Sequence, residues 1–391
     1  MKRFSAQYIL TNSGPPLKRS VITVNDDGSI VSIENTNGAL RESQSVEFYN
    51  GIIIPGFVNC HCHLELSHLK GKIPENRGLA DFITNVRNLR DKNEENIVSA
   101  SISADNEMYS EGVNLCADIC NTSVTFEIKK TSRIRYVNLL EVFGIDPEKA
   151  EHRMEEILRL SEESEKMDLS GFIVPHSIYS VSLPLFRLLK SKTKKNKVTS
   201  IHFLESEDEI SFLSDIKGPL RNSYKKNGLL PDNLKTPENH LSAILKEVTS
   251  NGNLILVHNT FADQQTVRAI NKRRRTFWCL CPDSNKYVEN KIPPADMLHA
   301  EGCDIVIGTD SPASTKKLSI LAELKTLQKY FPSISLEELV RWATINGARA
   351  LCENQNFGRI VPGIKPGLLV LQDVDLDNFK LLPDTTVTRL L

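Results

Sequence analysis

Between residues 56 and 356 the chain alternates two hydrophobic rhythms. Short, nearly unbroken apolar runs have the length and β-branched content of strands buried on both faces: Phe57–His63, Asn114–Cys120, Tyr136–Val142, Gly171–His176, Thr199–Leu204, Leu254–His258, Thr276–Cys281 and Asp304–Thr309. Between most of them apolar positions recur every three or four residues, over Leu79–Arg90, Glu148–Lys166, Leu183–Lys194, Leu241–Thr249, Gln264–Arg273 and Ile320–Tyr330, which predicts amphipathic helices. Strands alternating with helices in this way predict an α/β chain folded as a (β/α)8 TIM barrel. A closed barrel fits better than an open sheet, because polar residues end several of the runs, where barrel enzymes carry their chemistry.

The two ends have another texture. Residues 1–55 read as short strands, Gln7–Leu10, Ser20–Val24 and Ile30–Ile33, with an Asp27-Gly28 hairpin signal between the last two. Residues 357–391 repeat it, with Gly358, Pro362-Gly363 and Pro366-Gly367 around Leu368–Leu371. Neither end could bury a core alone, so the expected organisation is a small β-sandwich from 1–55 plus 357–391, and a barrel domain over 56–356. The polar stretch 206–236, with Gly218-Pro219, reads as a long loop over the barrel mouth, suited to covering a substrate.

Composition narrows the partners. Hydrophobic residues make up 40% and charged residues 25%, ordinary globular values, and the net charge is −1. Electrostatics therefore gives no reason to expect nucleic acid or an anionic membrane. No apolar h-region follows Lys2-Arg3 and no run is long enough to span a bilayer, so a cytoplasmic protein is expected. The 8 cysteines form no Cys-x-x-Cys and read as reduced thiols packed like small apolar side chains.

The candidate chemistry sits at strand ends. Pro55-Gly56-Phe57-Val58-Asn59-Cys60-His61-Cys62-His63 closes an apolar run in His-x-His. Residues two apart on a strand share a face, so both imidazoles are expected toward the barrel axis, with Cys60 and Cys62 toward the helices. Two neutral imidazoles on a rigid strand end suit Zn²⁺ or Fe²⁺. His202, His258 and Asp310 each follow a further apolar run, on the fifth, sixth and eighth strands. A divalent ion lowers the pKa of water toward 7. Asp310 could both ligate the ion and accept the water proton, Glu205 could protonate a ring nitrogen, and His258 could orient the attacking group. His176 at the end of the fourth strand, with His68 and Glu65 just past His63, are expected to face the substrate. His152, His240 and His299 read as surface residues. The basic run Lys272-Arg273-Arg274-Arg275 reads as a solvated helix end.

These residues resemble the amidohydrolase superfamily, in particular its cytosine deaminase and adenosylhomocysteine/methylthioadenosine deaminase branch. The likeness runs through nearly the whole chain: Gly56-Phe57-Val58-Asn59 before His-x-His, His202-Phe203-Leu204-Glu205, Pro282-x-Ser284-Asn285, Gly308-Thr309-Asp310-Ser311-Pro312-Ala313-Ser314, Ala343-Thr344-x-x-Gly347-Ala348, and Gly358-Arg359-Ile360-x-Pro362-Gly363. The resemblance implies that His61, His63, His202 and Asp310 hold one divalent metal ion, zinc ahead of iron, with His258 and Glu205 beside it and Ser311 among the substrate contacts. Relatives with two ions bridge them with a lysine near the fourth strand; Ile173-Val174-Pro175-His176-Ser177 has none, which implies a mononuclear site. His63-Leu64-Glu65-Leu66-Ser67 and His202–Ser206 are most similar to aminodeoxyfutalosine deaminases, which turn a 6-aminopurine nucleoside into its 6-oxo form. The implied function is hydrolytic deamination of such a heterocyclic small molecule, of aminodeoxyfutalosine or adenosylhomocysteine/methylthioadenosine type. Alternatives are a chlorohydrolase or another amidohydrolase of non-peptide C–N bonds, and a non-catalytic barrel scaffold. The resemblance is compatible with a homodimer. Thr315-Lys316-Lys317 and Lys365-Pro366-Gly367-Leu368-Leu369 depart from the usual pattern of the branch.

Overall fold

The computed structural model describes the chain except for residues 41–44, 92, 233, 237–238, 249–250 and 273–274 and the side chain of His240. In chain order the strands are β1 (Lys2–Ile9), β2 (Leu17–Lys18), β3 (Val21–Val24), β4 (Ile30–Glu34), β5 (Glu47–Pro55), β6 (Phe57–Cys62), β7 (Val113–Cys120) and β8 (Arg135–Val142). They continue with β9 (Gly171–Pro175), β10 (Val198–Phe203), β11 (Asn253–His258), β12 (Thr276–Leu280), β13 (Asp304–Ile307), β14 (Leu368–Asp375) and β15 (Lys380–Arg389).

Strands β6 to β9 pair in parallel in chain order, as do β10 to β13. Two seams join the sets. At one, Ser177 bridges to His202, and His202 N–H donates to the His176 carbonyl at 2.9 Å. At the other, Cys62 bridges to Asp310, and the His61 carbonyl accepts from Thr309 N at 3.1 Å and Asp310 N at 3.0 Å. Eight strands thus form a ring.

Burial on both faces explains the continuous apolar runs. Alternate residues of the strands, including Val58, Leu115, Leu139, Val174, Val198, Val257, Cys279 and Val306, make an inner cluster with Ala348, Ala350 and Leu351. The other alternates, including Leu140, Ile201, Leu256, Trp278 and Ile305, pack on helix residues such as Met108, Met154, Leu185 and Val267. The period of two that sorts them is the pleat itself.

The helices Leu79–Leu89, Ala150–Lys166, Leu183–Lys192, His240–Lys246, Gln264–Asn271 and Ile320–Tyr330 occupy the periodic segments. The expected ends at Thr249 and Arg273 lie outside the described residues, as do Arg273 and Arg274 of the basic run. An additional helix, Glu94–Ser110, buries Ser101 and Asp105 along with Ile97, Ala104 and Met108, so its apolar stripe is too thin to stand out.

The stretch 206–236 is not the long loop its polarity suggests. It contains the helices Glu207–Asp215 and Gly218–Lys226. The Ser206 side chain accepts from Glu209 N to start the first, Ile216 in a left-handed conformation ends it, and Pro219 occupies the first turn of the second. The solvent-facing surfaces of these helices supply the polarity.

One sheet of seven strands contains both ends of the chain, in the order β15-β14-β5-β1-β3-β4 with β2 on β1. Strand β5 runs parallel to β1 and antiparallel to β14, burying Ile53 with Phe4, Ile22, Leu368 and Val370. All eight cysteines are free thiols, and six of them are buried. Among the described residues no helix is long and apolar enough to cross a membrane.

Candidate metal centre

The rim of the ring gathers polar side chains from β6, β10, β11 and β13. On β6 the register slips between Asn59 and Cys62, so one extra residue is accommodated there. This corrects the simple alternation expected for Cys60 and Cys62: Cys60 joins the inner cluster and Cys62 the outer one. The bulge leaves His61 and His63 converging, with Nε2 atoms 3.1 Å apart. Gly308 allows β13 to approach them, since a Cβ there would meet His61 Cβ at 2.8 Å and the Cys279 and Cys281 sulfurs at 3.0 Å. Leu204, His258 and Asp310 have φ of 49°, 78° and 57°. Non-glycine residues held in the left-handed region cost about 1–3 kcal/mol each and cluster at functional sites.

His61, His63 and His202 offer ring nitrogens that all lie within 4.8 Å of one another. Asp310 Oδ1 stands 3.5 Å from His61 Nε2 and 3.4 Å from His63 Nε2. Its other oxygen, Oδ2, accepts from the Ser284 and Ser314 hydroxyls, each at 2.6 Å, which fixes the carboxylate and leaves Oδ1 toward the imidazoles. His202 Nδ1 lies 2.8 Å from the His176 carbonyl, a pairing that puts the proton on Nδ1 and directs the Nε2 lone pair inward. A neutral imidazole so oriented and a carboxylate with one occupied oxygen suit a divalent ion with nitrogen and oxygen ligands.

Electrostatics separates the groups into neutral bases and a neutral acid. Burial, with the neighbouring imidazoles, pushes His63 well below the usual histidine range and His202 down to about 4. Burial also lowers His258. Burial alone would raise Asp310, but the His61 hydrogen bond and the surrounding imidazoles hold it well below the carboxylate range. Glu205 goes the other way: burial, then the charges of Asp310 and Glu209, raises it well above the usual value. Glu205 Oε1 lies 3.6 Å from His258 Nε2, and the Asn285 amide nitrogen lies 3.1 Å from His258 Nδ1. A carboxyl kept protonated beside neutral imidazoles is equipped to give up a proton.

The residues expected at the substrate are spread more widely. His176 stands beside the centre, its ring 4.6 Å from that of His202, with Nδ1 hydrogen-bonded to Ser180 at 2.7 Å. Ser311 is buried next to Asp310, its hydroxyl 3.4 Å from that of Ser314. Glu65 and His68 turn to loop support. Glu65 takes Arg90 at 2.8 Å on one oxygen and Thr122 Oγ1 and two backbone amides on the other. His68 spends one nitrogen on the Glu65 carbonyl and the other on Asp91 N. His152 and His299 are exposed; the side chain of His240 is outside the described residues.

Three groups escaped sequence reasoning. Ser284 was visible as part of a motif, but its bond to Asp310 was not. Asp118 and Lys129, both fully buried, pair at 2.5 Å, and Asp118 Oδ1 also accepts from Leu64 N at 2.7 Å, directly after His63. Glu141, on β8, is buried with its carboxyl raised to about 8 by desolvation. Its position, one strand residue short of the β8 end, was the available signal.

The amidohydrolase family profile matches residues 52–390. The chain is 28% identical to the 5-methylthioadenosine/S-adenosylhomocysteine deaminase of Pyrococcus abyssi, over 94% of this chain and 83% of that one. Among solved structures, the aminofutalosine deaminase of Helicobacter pylori in complex with methylthio-coformycin superposes with a TM-score of 0.78 at 23% identity, covering 95% of this chain and 92% of that one. An atrazine chlorohydrolase of Arthrobacter aurescens complexed with zinc superposes with a TM-score of 0.72 at 15% identity, covering 94% and 86%. At these identities the two structures speak for the barrel fold alone.

Proposed function

The chain belongs to the amidohydrolase family, and from that premise we propose that it is a metal-dependent hydrolase removing the amino group of an adenosine-like nucleoside. The observation that carries this reading is the convergence of His61, His63, His202 and Asp310 beside a buried, proton-holding Glu205. Those four residues would hold one divalent ion, and their set of imidazole nitrogens and a carboxylate oxygen suits zinc, with iron as the alternative. When bound, the ion supplies Lewis acidity that makes water nucleophilic near neutral pH.

The chain's own residues supply the rest. Glu205 carries a proton where a purine ring nitrogen beside the amino-bearing carbon would need it, so the ring can accept electrons as water adds. His258, packed against Glu205 and steadied by Asn285, offers its Nε2 to the oxygen side of the same carbon. The two serine hydroxyls on Asp310 Oδ2 keep its other oxygen in place, and the His61 hydrogen bond with the surrounding imidazoles holds the carboxylate ionised. Asp310 can take the proton of the adding water and pass it to the amino group, so that the C–N bond breaks, ammonia leaves and the ring keeps the oxygen.

The deaminases related in sequence favour a 6-aminopurine nucleoside over other heterocycles. Ammonia release should be measured with adenosine, 5′-methylthioadenosine, S-adenosylhomocysteine and aminodeoxyfutalosine, alongside chloride release from a chlorotriazine. Ammonia from at least one nucleoside, with loss of the absorbance of the 6-aminopurine, is expected. Chloride without ammonia would replace the reading with that of a chlorohydrolase. Neither product from the metal-loaded protein would end it.

A further inference from the structure

The inner positions of consecutive strands form layers across the ring. On β8 the inner cluster takes Val137 and Leu139, and the next residue of that face is Glu141. On β9 it takes Val174, and the next is His176; on β10 it takes Val198, and two steps further is His202. Glu141, His176 and His202 are therefore one layer at the mouth, and their polar atoms lie within 4.8 Å of one another.

Glu141 has no part in the chemistry assigned so far. Its Oε2 accepts from Asn121 Nδ2 at 3.1 Å, and the same amide reaches the Glu141 carbonyl at 3.2 Å. Its Oε1 faces His202 Nδ1 at 3.5 Å. That nitrogen already gives its proton to the His176 carbonyl at 2.8 Å, so Glu141 is not what orients His202. A carboxyl oxygen kept at a nearly dry mouth without a well-placed donor is costly unless a ligand completes it. It also stands on the other flank of His202 from Glu205, which approaches His258. A nucleoside with its base at Glu205 would present its sugar elsewhere in the mouth.

We infer that Glu141, held by Asn121, is a specificity-determining residue that binds a hydroxyl of the substrate's sugar through its free carboxyl oxygen. The inference rests on the reading of the site as that of a nucleoside deaminase. It makes the enzyme selective for ribonucleosides over their deoxy counterparts, because a polar group built for a hydroxyl is left unpaired by an analogue lacking it.

The test compares kcat/KM for adenosine, 2′-deoxyadenosine and 3′-deoxyadenosine in the wild type, Glu141→Gln, Glu141→Leu and Asn121→Ala, each checked for metal content and melting temperature. The wild type should prefer adenosine over at least one deoxy analogue by about tenfold to a hundredfold, the usual cost of leaving one buried polar group unpaired. Glu141→Leu should lose most of that factor on adenosine, chiefly in KM, and little on the disfavoured analogue. Asn121→Ala, which leaves the carboxyl in place but unsupported, should move the same ratio less. Glu141→Gln, which keeps an acceptor, should fall between the wild type and Glu141→Leu. Equal losses on all three nucleosides, or an unchanged ratio in Glu141→Leu, would overturn the inference while leaving the deaminase reading standing. A metal-loaded wild type that is inactive on every aminopurine would remove both.

Discussion

At the scale of single residues, the site depends on opposite protonation of chemically similar groups. Asp310 and Glu205 are both buried carboxyls, yet one is ringed by imidazoles and hydroxyl donors and the other by further carboxylates. The first is ionised and the second protonated, which assigns ligand and acid by environment. Glu205→Gln removes the transferable proton while keeping shape and polarity. Turnover should fall by about 10²–10⁴-fold, the usual contribution of a positioned acid. Metal content, measured by elemental analysis, and melting temperature should match the wild type. Near-full turnover in that variant would mean that the proton comes from another residue.

The same scale shows what a sequence can and cannot reveal. His61, His63, His202, His258 and Asp310 were legible because each interrupts or ends an apolar run, a conspicuous place for a polar group. Glu65 and His68 were conspicuous too, but nearness to His63 along the chain does not say where a side chain turns. Both turn to Arg90, Thr122 and the Asp91 backbone. Glu141 was hidden by its neighbours: in Asn138-Leu139-Leu140-Glu141-Val142 it looks like a strand's solvent end, and only the ring's layering puts it in the mouth.

Among elements, those with a strong period were read nearly to the residue, as Ile320–Tyr330 illustrates. Glu94–Ser110, with its thin apolar stripe, and the two short helices in 206–236, which bury few apolar side chains (Phe212 and Leu213 in one, Leu220 in the other), were not, because tertiary contacts stabilise them more than pattern does. The helix Leu79–Leu89 shows how such contacts work. Its cap residue Gly78 has no side chain to offer, and two distant carboxylates serve instead: Glu289 accepts from Leu79 N at 2.9 Å and Asp208 from Ala80 N at 3.2 Å. Negative groups at a helix start are favourable, but these two also repel each other. Burial, then Asp208, raises Glu289 to about 7. The folded state therefore binds this proton more tightly than the unfolded chain, whose carboxyl titrates near 4.5. The stabilisation is complete below that lower value and is lost as pH rises through about 7. Melting temperature should accordingly drop across this window, and Glu289→Gln, which keeps an acceptor for Leu79 N, should flatten the drop. An identical pH profile in the variant would mean that other carboxyls govern it.

On the scale of the whole molecule, the proposed ligands do more than gather at a rim. His61 and His63 belong to the β6–β9 set, His202 and Asp310 to the β10–β13 set, and the two sets are hydrogen-bonded to each other by the short bridges at Cys62–Asp310 and Ser177–His202. Both bridges involve ligand residues. An ion held by all four would therefore clamp the ring at its two weakest joints, and binding energy would appear as resistance to opening there. Free ligand above its dissociation constant stabilises the fold by RT ln(1 + [L]/Kd), about 2.7 kcal/mol at a hundredfold excess. Removing the ion with a chelator should lower the melting temperature and restore it on adding back zinc. Amide exchange should quicken first at His202, Thr309 and Asp310, whose N–H groups make the seams, and later at mid-sheet amides such as those pairing β7 with β8. Uniform quickening would make the ion a general stabiliser rather than a clamp, and an unchanged melting temperature would mean that the four side chains do not hold one ion together.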